Sequence, residues 1–189
     1  MENLLIITPG YEDGPRELPF RPLTPFGYDH LEAKLILARA IKLAAEVHEH
    51  QQDLAGEPYI LHPIRVMLKQ HSELLRIVAV LHDVLEDGGM EVRLTMARIG
   101  FPKKVLPLVE LLTRKKGQSY EDYIEQIMTD HRAIKVELAD LEDNLDPQRV
   151  SFLLRQGADP EKVRRRLEKY KAARTKLQDK LNNTEFLFL

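Results

Sequence analysis

Apolar residues recur along most of this chain at the spacing of three and four residues that is typical of amphipathic helices. Residues 29–50 give the longest early pattern, with a shared apolar face formed by Leu31, Leu35, Ala38, Ile41, Ala45 and His48. A second apolar stripe begins after Ser72 and predicts a buried helix that ends at Gly88-Gly89. Further helices, each bounded by glycine, proline or a capping residue, are predicted near 63–70, 91–99, 102–114, 120–129 and 133–144, and from 147 and 160 onward. The pattern therefore predicts an all-α fold.

The first 28 residues do not share this helical pattern. Five of the 11 prolines and three glycines fall in this segment, and together they exclude a long regular element. The apolar run at 4–8 could still pair as an edge strand. We therefore predict an irregular, proline-rich arm at 1–28 and one folded domain at 29–189, because a chain of 189 residues suits a single core.

Composition narrows the choice of partners and of chemistry. The formal net charge is only -2, so we expect neither a nucleic acid nor a membrane surface as partner, while a small charged ligand stays open. No apolar run approaches the roughly 20 residues of a membrane span, and the first residues lack a basic start, so we expect a cytoplasmic protein. Since the chain contains no cysteine, a metal site would need histidine and carboxylate ligands.

The adjacent pair His82-Asp83 is the most informative feature of the sequence. It falls within a predicted buried stripe, where an aspartate without a partner would be costly. His48 and Asp140 close the apolar sides of two other predicted helices. Two imidazoles and two carboxylates suit one divalent metal ion, so these four residues are predicted to bind it. For His48 alone, an imidazole that caps a helix end is the alternative.

Three further polar residues are predicted to flank the metal. Glu86 and Asp87 follow the His82-Asp83 pair by four residues, which is one helical turn. Carboxylates in that position can orient a water or accept its proton, although the exposed end of a helix would also explain them. Asn144 follows Asp140 by four residues, and its neutral amide could bond a ligand without competing for the metal.

Several motifs in order resemble a known family. Leu81-His82-Asp83 and Glu86-Asp87 follow the run Gly56-Glu57-Pro58-Tyr59-Ile60-Leu61-His62-Pro63. This combination resembles the HD-domain hydrolases, and most of all their RelA/SpoT-type alarmone hydrolase branch. The resemblance runs from roughly residue 38 to 146. Their joint occurrence is far more specific than a lone His-Asp pair.

The resemblance implies a helical HD-domain bundle that removes pyrophosphate from the 3′ position of guanosine tetra- or pentaphosphate. One divalent metal, commonly Mn2+ with Fe, Co, Ni or Zn as alternatives, would be bound by His48, His82, Asp83 and Asp140. Glu86 and Asp87 would assist the attacking water. Asn144, Tyr59 and His62 are the residues assigned to the phosphorylated nucleotide, although Tyr59 could simply pack and His62 could instead bond to the metal site.

The chain also departs from the family pattern at positions that are usually basic. Asp53-Leu54 stands where an Arg-Lys pair is usual, and Glu137 and Leu141 replace a lysine and an arginine around the last metal aspartate. Asp143 replaces a histidine. Each lost contact to a charged phosphate could weaken binding by about 1.5 to 3 kcal/mol. Arg114, Lys115 and Lys116 are possible replacements.

Two alternatives to the alarmone reaction follow from these departures. The first is an HD-type phosphohydrolase with a different nucleotide or phosphoester substrate. The second is a catalytically weak module that senses a nucleotide or binds a protein, although retained Glu86 and Asp87 argue against it. The basic run 164–166 is interpreted as a solvated helix face because acidic residues share its helix. The sequence makes no prediction of oligomeric state.

Overall fold

The computed structural model describes residues 30–185, with side chains described from 35 to 183, and every regular element in that range is a helix. The described residues form nine helices: α1 (His30–Val47), α2 (Leu61–Leu68), α3 (Glu73–Val80), α4 (Val84–Ile99), α5 (Val105–Leu112), α6 (Tyr120–Ile127), α7 (His131–Asn144), α8 (Pro147–Arg155) and α9 (Pro160–Glu185). The predicted all-α fold is confirmed. The arm predicted at 1–28, with its possible strand, lies outside the described residues.

Short polar residues begin several of these helices. The Ser72 hydroxyl accepts a hydrogen bond from the Leu75 amide at 3.3 Å and begins α3. Asp146 accepts from the Gln148 amide at 2.7 Å, and Pro147 then occupies the first turn of α8, where its missing N–H costs nothing. None of the described helices is both long and apolar enough to cross a membrane.

Helix α3 lies at the centre of the core. Residues 77–81 are at most 2% exposed, and the helix packs against α1, α2, α5 and α7. Helix α7 in turn contacts α2, α3, α5, α6 and α9. Because α3 and α7 are held by neighbours on several sides, the side chains at their ends are fixed in position.

The helix predicted from Ser72 to Gly88-Gly89 is wrong in its boundaries. Helix α3 ends at Val80, residues 81–83 form a turn, and α4 begins at Val84. The expected break at the glycine pair is present only as a kink inside α4, where Gly89 has φ 54° and ψ -140°. The His82-Asp83 pair therefore lies in a turn between two helices instead of on a helix edge.

The segment between α1 and α2 folds back on itself. The Asp53 amide donates to the Glu57 carbonyl at 2.8 Å, and the Tyr59 amide donates to the Gln51 carbonyl at 2.9 Å. Gly56 turns the chain with φ +84°, a conformation that other residues rarely adopt. This loop, residues 51–59, returns the Tyr59 ring to within 5.0 Å of the His48 ring.

Candidate metal centre

The ends of several helices meet at the His82-Asp83 turn. Nε2 of His82 lies 3.1 Å from Oδ2 of Asp83 and 3.7 Å from Oδ1 of Asp140, which comes from α7. A further imidazole, that of His62 in α2, joins them, and donor atoms of His62, His82 and Asp83 all lie within 4.8 Å of one another. His48 is not a member of that tight group. The structure thus brings together three of the four residues predicted to bind metal and adds His62.

The ring orientations of His48 and His82 fit a metal site. Nδ1 of His82 donates to the Ala79 carbonyl at 2.8 Å, and Nδ1 of His48 donates to the Gln51 side-chain oxygen at 2.8 Å. In each ring the lone pair is therefore on Nε2. Both Nε2 atoms are buried and have no hydrogen-bond partner in the described part of the chain. Metal-binding histidines typically have their other nitrogen fixed by such a bond, so the two residues suit a divalent ion.

His62 differs from those two histidines because both of its ring nitrogens face carboxylates. Nδ1 donates to Asp143 Oδ2 at 2.8 Å, and Nε2 lies 2.9 Å from Asp140 Oδ1. Burial acts to lower the pKa of His62, but the bonds to Asp140 and Asp143 outweigh it and raise that pKa. Both ring nitrogens of His62 thus already have carboxylate partners within 2.9 Å. His62 is therefore better suited to holding Asp140 in place than to binding the ion.

Tyr59 holds the other carboxylate. Its hydroxyl donates to Asp83 Oδ2 at 2.5 Å. Tyr59 and His62 were assigned to the nucleotide from sequence, and both do line the cavity beside the metal site. Their hydrogen bonds, however, go to Asp83 and Asp140, so the structure supports the alternative in which His62 bonds to the metal site. A role for either residue in substrate binding stays a prediction.

Glu86 and Asp87 lie in the first turn of α4, immediately after the turn. Glu86 lines the cavity, and its Oε1 accepts from the Arg114 amide at 2.6 Å. Burial raises the pKa of the Glu86 carboxyl despite that hydrogen bond. Asp87 instead approaches Nδ1 of His48 at 3.5 Å. The geometry gives Glu86 access to a ligand in the cavity, while Asp87 lies behind His48.

Two further polar residues of α7 face the same region. Asn144 donates from Nδ2 to Asp140 Oδ1 at 2.8 Å, and it lines the cavity as expected from its spacing. Glu137, which stands where the family usually has lysine, is 3% exposed and accepts from the Tyr123 hydroxyl at 3.0 Å. Burial and the nearby charge of Asp140 raise the pKa of Glu137 to about 8. The base of the cavity is therefore rich in acidic groups, which favours a cation there.

An ion network that sequence reasoning did not find connects the loop to α7 and α8. Asp53, in place of the usual arginine, accepts from Arg149 Nη2 at 3.0 Å. Arg149 Nη1 also donates to Asp143, which accepts from Arg65 Nε at 2.7 Å on its other oxygen. Arg65 and Asp143 are 78 residues apart in sequence and Asp53 and Arg149 are 96 apart, so no local spacing could have revealed these two pairs. Asp53 and Asp143 stand where the family usually has an arginine and a histidine. Arg149 pairs with both carboxylates and so balances the negative charge that they add.

One cavity of about 740 Å³ is lined by Asp83 and Asp140 of the candidate metal residues and by Asp53, Arg65 and Arg149 of this network. The volume lies in the range of sites that bind small molecules the size of a nucleotide. Asp83, Asp140 and Glu86 line its base. Residues of α8 and α9 close the opposite side, among them the apolar Val150, Phe152 and Leu153 and the basic Arg155, Arg166 and Lys169.

Known proteins resemble this chain both in sequence and in fold. A guanosine-3′,5′-bis(diphosphate) 3′-pyrophosphohydrolase of Aquifex aeolicus is 33% identical over 131 residues, which are 64% of this chain and 18% of the relative. The bifunctional (p)ppGpp synthase/hydrolase SpoT of Escherichia coli is 34% identical over 125 residues, 58% of this chain and 17% of the relative. The chain thus spans less than a fifth of the length of the curated relatives it matches. No protein-family model matches the chain.

A solved structure shares the fold. It was described under the heading "A metazoan ortholog of SpoT hydrolyzes ppGpp and plays a role in starvation responses", and it superposes with a TM-score of 0.62. The match covers 78% of this chain and 92% of the other at 24% identity, which establishes a common fold. The resemblance inferred from the motifs is confirmed: the chain shares an all-α fold with this structure, and about 60% of its length is similar in sequence to RelA/SpoT-type pyrophosphohydrolases.

Proposed function

We propose that this chain is a metal-dependent phosphohydrolase that removes pyrophosphate from the 3′ position of guanosine 3′,5′-bis(diphosphate). The observation that carries the proposal is the buried Nε2 of His82, which lies 3.1 Å from a carboxylate oxygen of Asp83 and 3.7 Å from one of Asp140, together with a second buried Nε2, that of His48, which has no hydrogen-bond partner among the described residues. The names of the curated relatives support the substrate. The domain boundary at residue 29 and the cytoplasmic location remain predictions from the sequence.

His48, His82, Asp83 and Asp140 would hold one divalent ion, with Mn2+ as the first choice because the resemblance implies it. When bound, the ion supplies Lewis-acid stabilisation of phosphate charge and lowers the pKa of a water. Tyr59 and His62 fix the Asp83 and Asp140 carboxylates through the hydrogen bonds described above. These contacts keep the ligand atoms in position and reduce the cost of assembling the site.

Glu86 is the residue best placed to act on the water. Its carboxylate lines the cavity, and its raised pKa makes it a better proton acceptor than an exposed glutamate. In the proposed step the water oxygen bonds to the phosphorus attached to O3′ while Glu86 takes a water proton. The bond from that phosphorus to O3′ breaks, O3′ receives a proton, and guanosine diphosphate and pyrophosphate leave. Asn144 would bond the nucleotide, and Asp87 would orient His48.

A second candidate is the same reaction type on a different nucleotide. It is favoured by one observation, the commitment of Asp53 to Arg149 where the family usually presents two cations to its substrate. The metal chemistry would be unchanged in that case. Only the ligand selected by the cavity would differ.

The test is release of pyrophosphate and phosphate by the Mn2+-loaded protein, with guanosine 3′,5′-bis(diphosphate) and a panel of ordinary nucleotides as substrates. Asp83→Asn is the inactive control and should lose both bound metal and turnover, by about a thousandfold or more in rate. Asp179→Asn, an exposed acid on α9, is the matched control and should behave as wild type. Circular dichroism and metal analysis accompany each variant.

Pyrophosphate release from the guanosine compound by wild type, lost in Asp83→Asn with the helices intact, is the expected result. Release from other nucleotides only would support the second candidate. No release from any substrate would contradict hydrolysis and support the sensing or protein-binding alternative. Full turnover by a metal-free Asp83→Asn protein would contradict the metal mechanism itself.

A further inference from the structure

The cations that line the cavity fall into two groups. Arg65 and Arg149 are committed to the buried carboxylates of Asp143 and Asp53. Arg114, Arg155, Arg166 and Lys169 also line the cavity, and none of their charged side-chain groups has a carboxylate within 4.0 Å among the described residues; Arg155, on α8, donates to the Ser151 hydroxyl. The second group is therefore free to meet an anion, whereas the first is already neutralised.

Three of these cations, Arg114, Arg166 and Lys169, come from two parts of the chain and lie near one another at the cavity. Arg114 follows α5, and its guanidinium is held by two hydrogen bonds to the Gln118 carbonyl at 3.0 and 2.7 Å. Arg166 and Lys169 are three residues apart on α9 and so share one face of that helix. The Gln118 carbonyl is a neutral acceptor, so it does not neutralise the positive charge of Arg114.

Lys169 is held in a defined place at this rim. Its ammonium lies 4.2 Å from the centre of the Tyr120 ring and 5.4 Å from that of Tyr170. Partial burial and the neighbouring charges of Arg114 and Arg166 lower its pKa, with Glu121 the opposing acidic group. Like charges repel one another, so an anion between the three side chains would relieve that repulsion.

The neighbouring residues of α9 show that this arrangement is particular to Arg166. Arg164 and Arg165 both pair with Glu161, at 2.7 and 2.9 Å, on the solvated face. Arg166 alone of the three consecutive arginines lines the cavity. The solvated-face interpretation of the run 164–166 therefore holds for two of its members and not for the third.

We propose that Arg114, Arg166 and Lys169 form a phosphate-binding cluster. The cluster binds the 5′-diphosphate of the nucleotide, which is the diphosphate that does not contact the metal. The proposal rests on the proposed function and deepens it, because it assigns the substrate a second anionic group. It explains how a cavity without the usual Arg-Lys pair accommodates a highly charged ligand. The family usually has its basic pair in the segment that corresponds to the 51–59 loop. In this chain the cations of the cluster lie on α9 and just after α5 instead.

The cluster is tested by binding of guanosine 5′-diphosphate, which carries only the remote diphosphate, to the Mn2+-loaded protein by isothermal titration calorimetry. Arg166→Gln and Lys169→Gln should each weaken binding by about tenfold or more, because a hydrogen-bonded charge pair is lost. Arg165→Gln, the adjacent arginine, is the matched control and should bind within about twofold of wild type. All three side chains are exposed, so each variant should fold normally.

Hydrolysis kinetics give a second measurement. The two cluster variants should raise KM and leave kcat nearly unchanged, since contacts remote from the reacting phosphorus act equally on the bound and transition states. Equal diphosphate affinity in Arg165→Gln, Arg166→Gln and Lys169→Gln would overturn the cluster, as would absence of binding to wild type. Weaker binding in the cluster variants without any hydrolysis would uphold the cluster and contradict the proposed reaction.

Discussion

The base and the rim of the cavity use charge in opposite ways. At the base, the side chains of Asp83, Asp140 and His62 are at most 19% exposed, and Nε2 of His62 lies 2.9 Å from Asp140 and 3.9 Å from Asp83. At the rim, Arg114, Arg166 and Lys169 are exposed and unpaired with carboxylates among the described residues. Buried charges need partners in the folded protein, whereas exposed charges are solvated and stay available to bind a ligand. The base is thus suited to fixed chemistry and the rim to ligand selection.

Glu86→Gln should have the largest effect of the variants that distinguish the base of the cavity from its rim. The amide keeps the size of the side chain but cannot accept a proton, so kcat should fall by about a hundredfold or more while bound metal and KM are retained. Steady-state kinetics with metal analysis would check this. An unchanged kcat would move the proton acceptor to another group, and Asp87→Asn, which alters a residue behind His48, would then be the next variant to measure.

Arg149→Met should affect folding more than ligand binding. It removes the Arg149 partner of Asp53 and one of the three partners of Asp143, which is 3% exposed, so we expect a loss of about 2 to 3 kcal/mol in the free energy of unfolding. Arg155→Met on the same helix removes a bond to the Ser151 hydroxyl and a contact with the Phe152 ring at an exposed site, and it should cost below about 1 kcal/mol. Urea denaturation of both proteins measures the difference. Equal midpoints would mean that the network contributes nothing to stability.

Metal binding at the base should strengthen as pH rises. In the metal-free protein burial opposes the charged form of His82, but the charges of Asp83 and Asp140 outweigh burial and raise its pKa well above the ordinary value. The ion must displace that proton, so below the raised pKa the apparent affinity should gain about tenfold per pH unit. Competition with a metal-sensitive dye at several pH values tests the slope. A flat profile would mean that His82 binds no ion.

The sequence predicted the base of the cavity better than the rim. His82-Asp83 and the run 56–63 are compact motifs, and helical spacing placed seven of the helices within a few residues of their ends. The turn at 81–83 escaped because the apolar spacing continues unbroken from Ile77 to Leu85. The spacing of apolar residues indicates which positions are buried, not where a helix ends. Residues 77–82 are buried both before and after the end of α3, so their spacing gave no indication of the break.

The contacts that were not predicted depend on pairing between distant segments. The partner of His62 lies 81 residues away, and that of Asp53 lies 96 residues away. Arg166 differs from Arg164 and Arg165 only by the rotation of α9 against the cavity, which packing determines. Neither fact has a signature within a short window of sequence. Motifs could therefore name candidate positions, while the charge balance between them required the structure.

The Asp53–Arg149 pair also limits the changes by which this cavity could be altered. Asp53→Arg alone, which would restore the first half of the usual basic pair, would set two guanidinium groups against each other and leave Asp143 to share Arg149 and Arg65. Arg149→Asp alone would place three carboxylates together. Either single step passes through a less stable protein, and the double exchange restores the pair between positions 53 and 149 but sets a new carboxylate against Asp143. Positions 53, 143 and 149 are thus coupled, so an engineer would have to change them together.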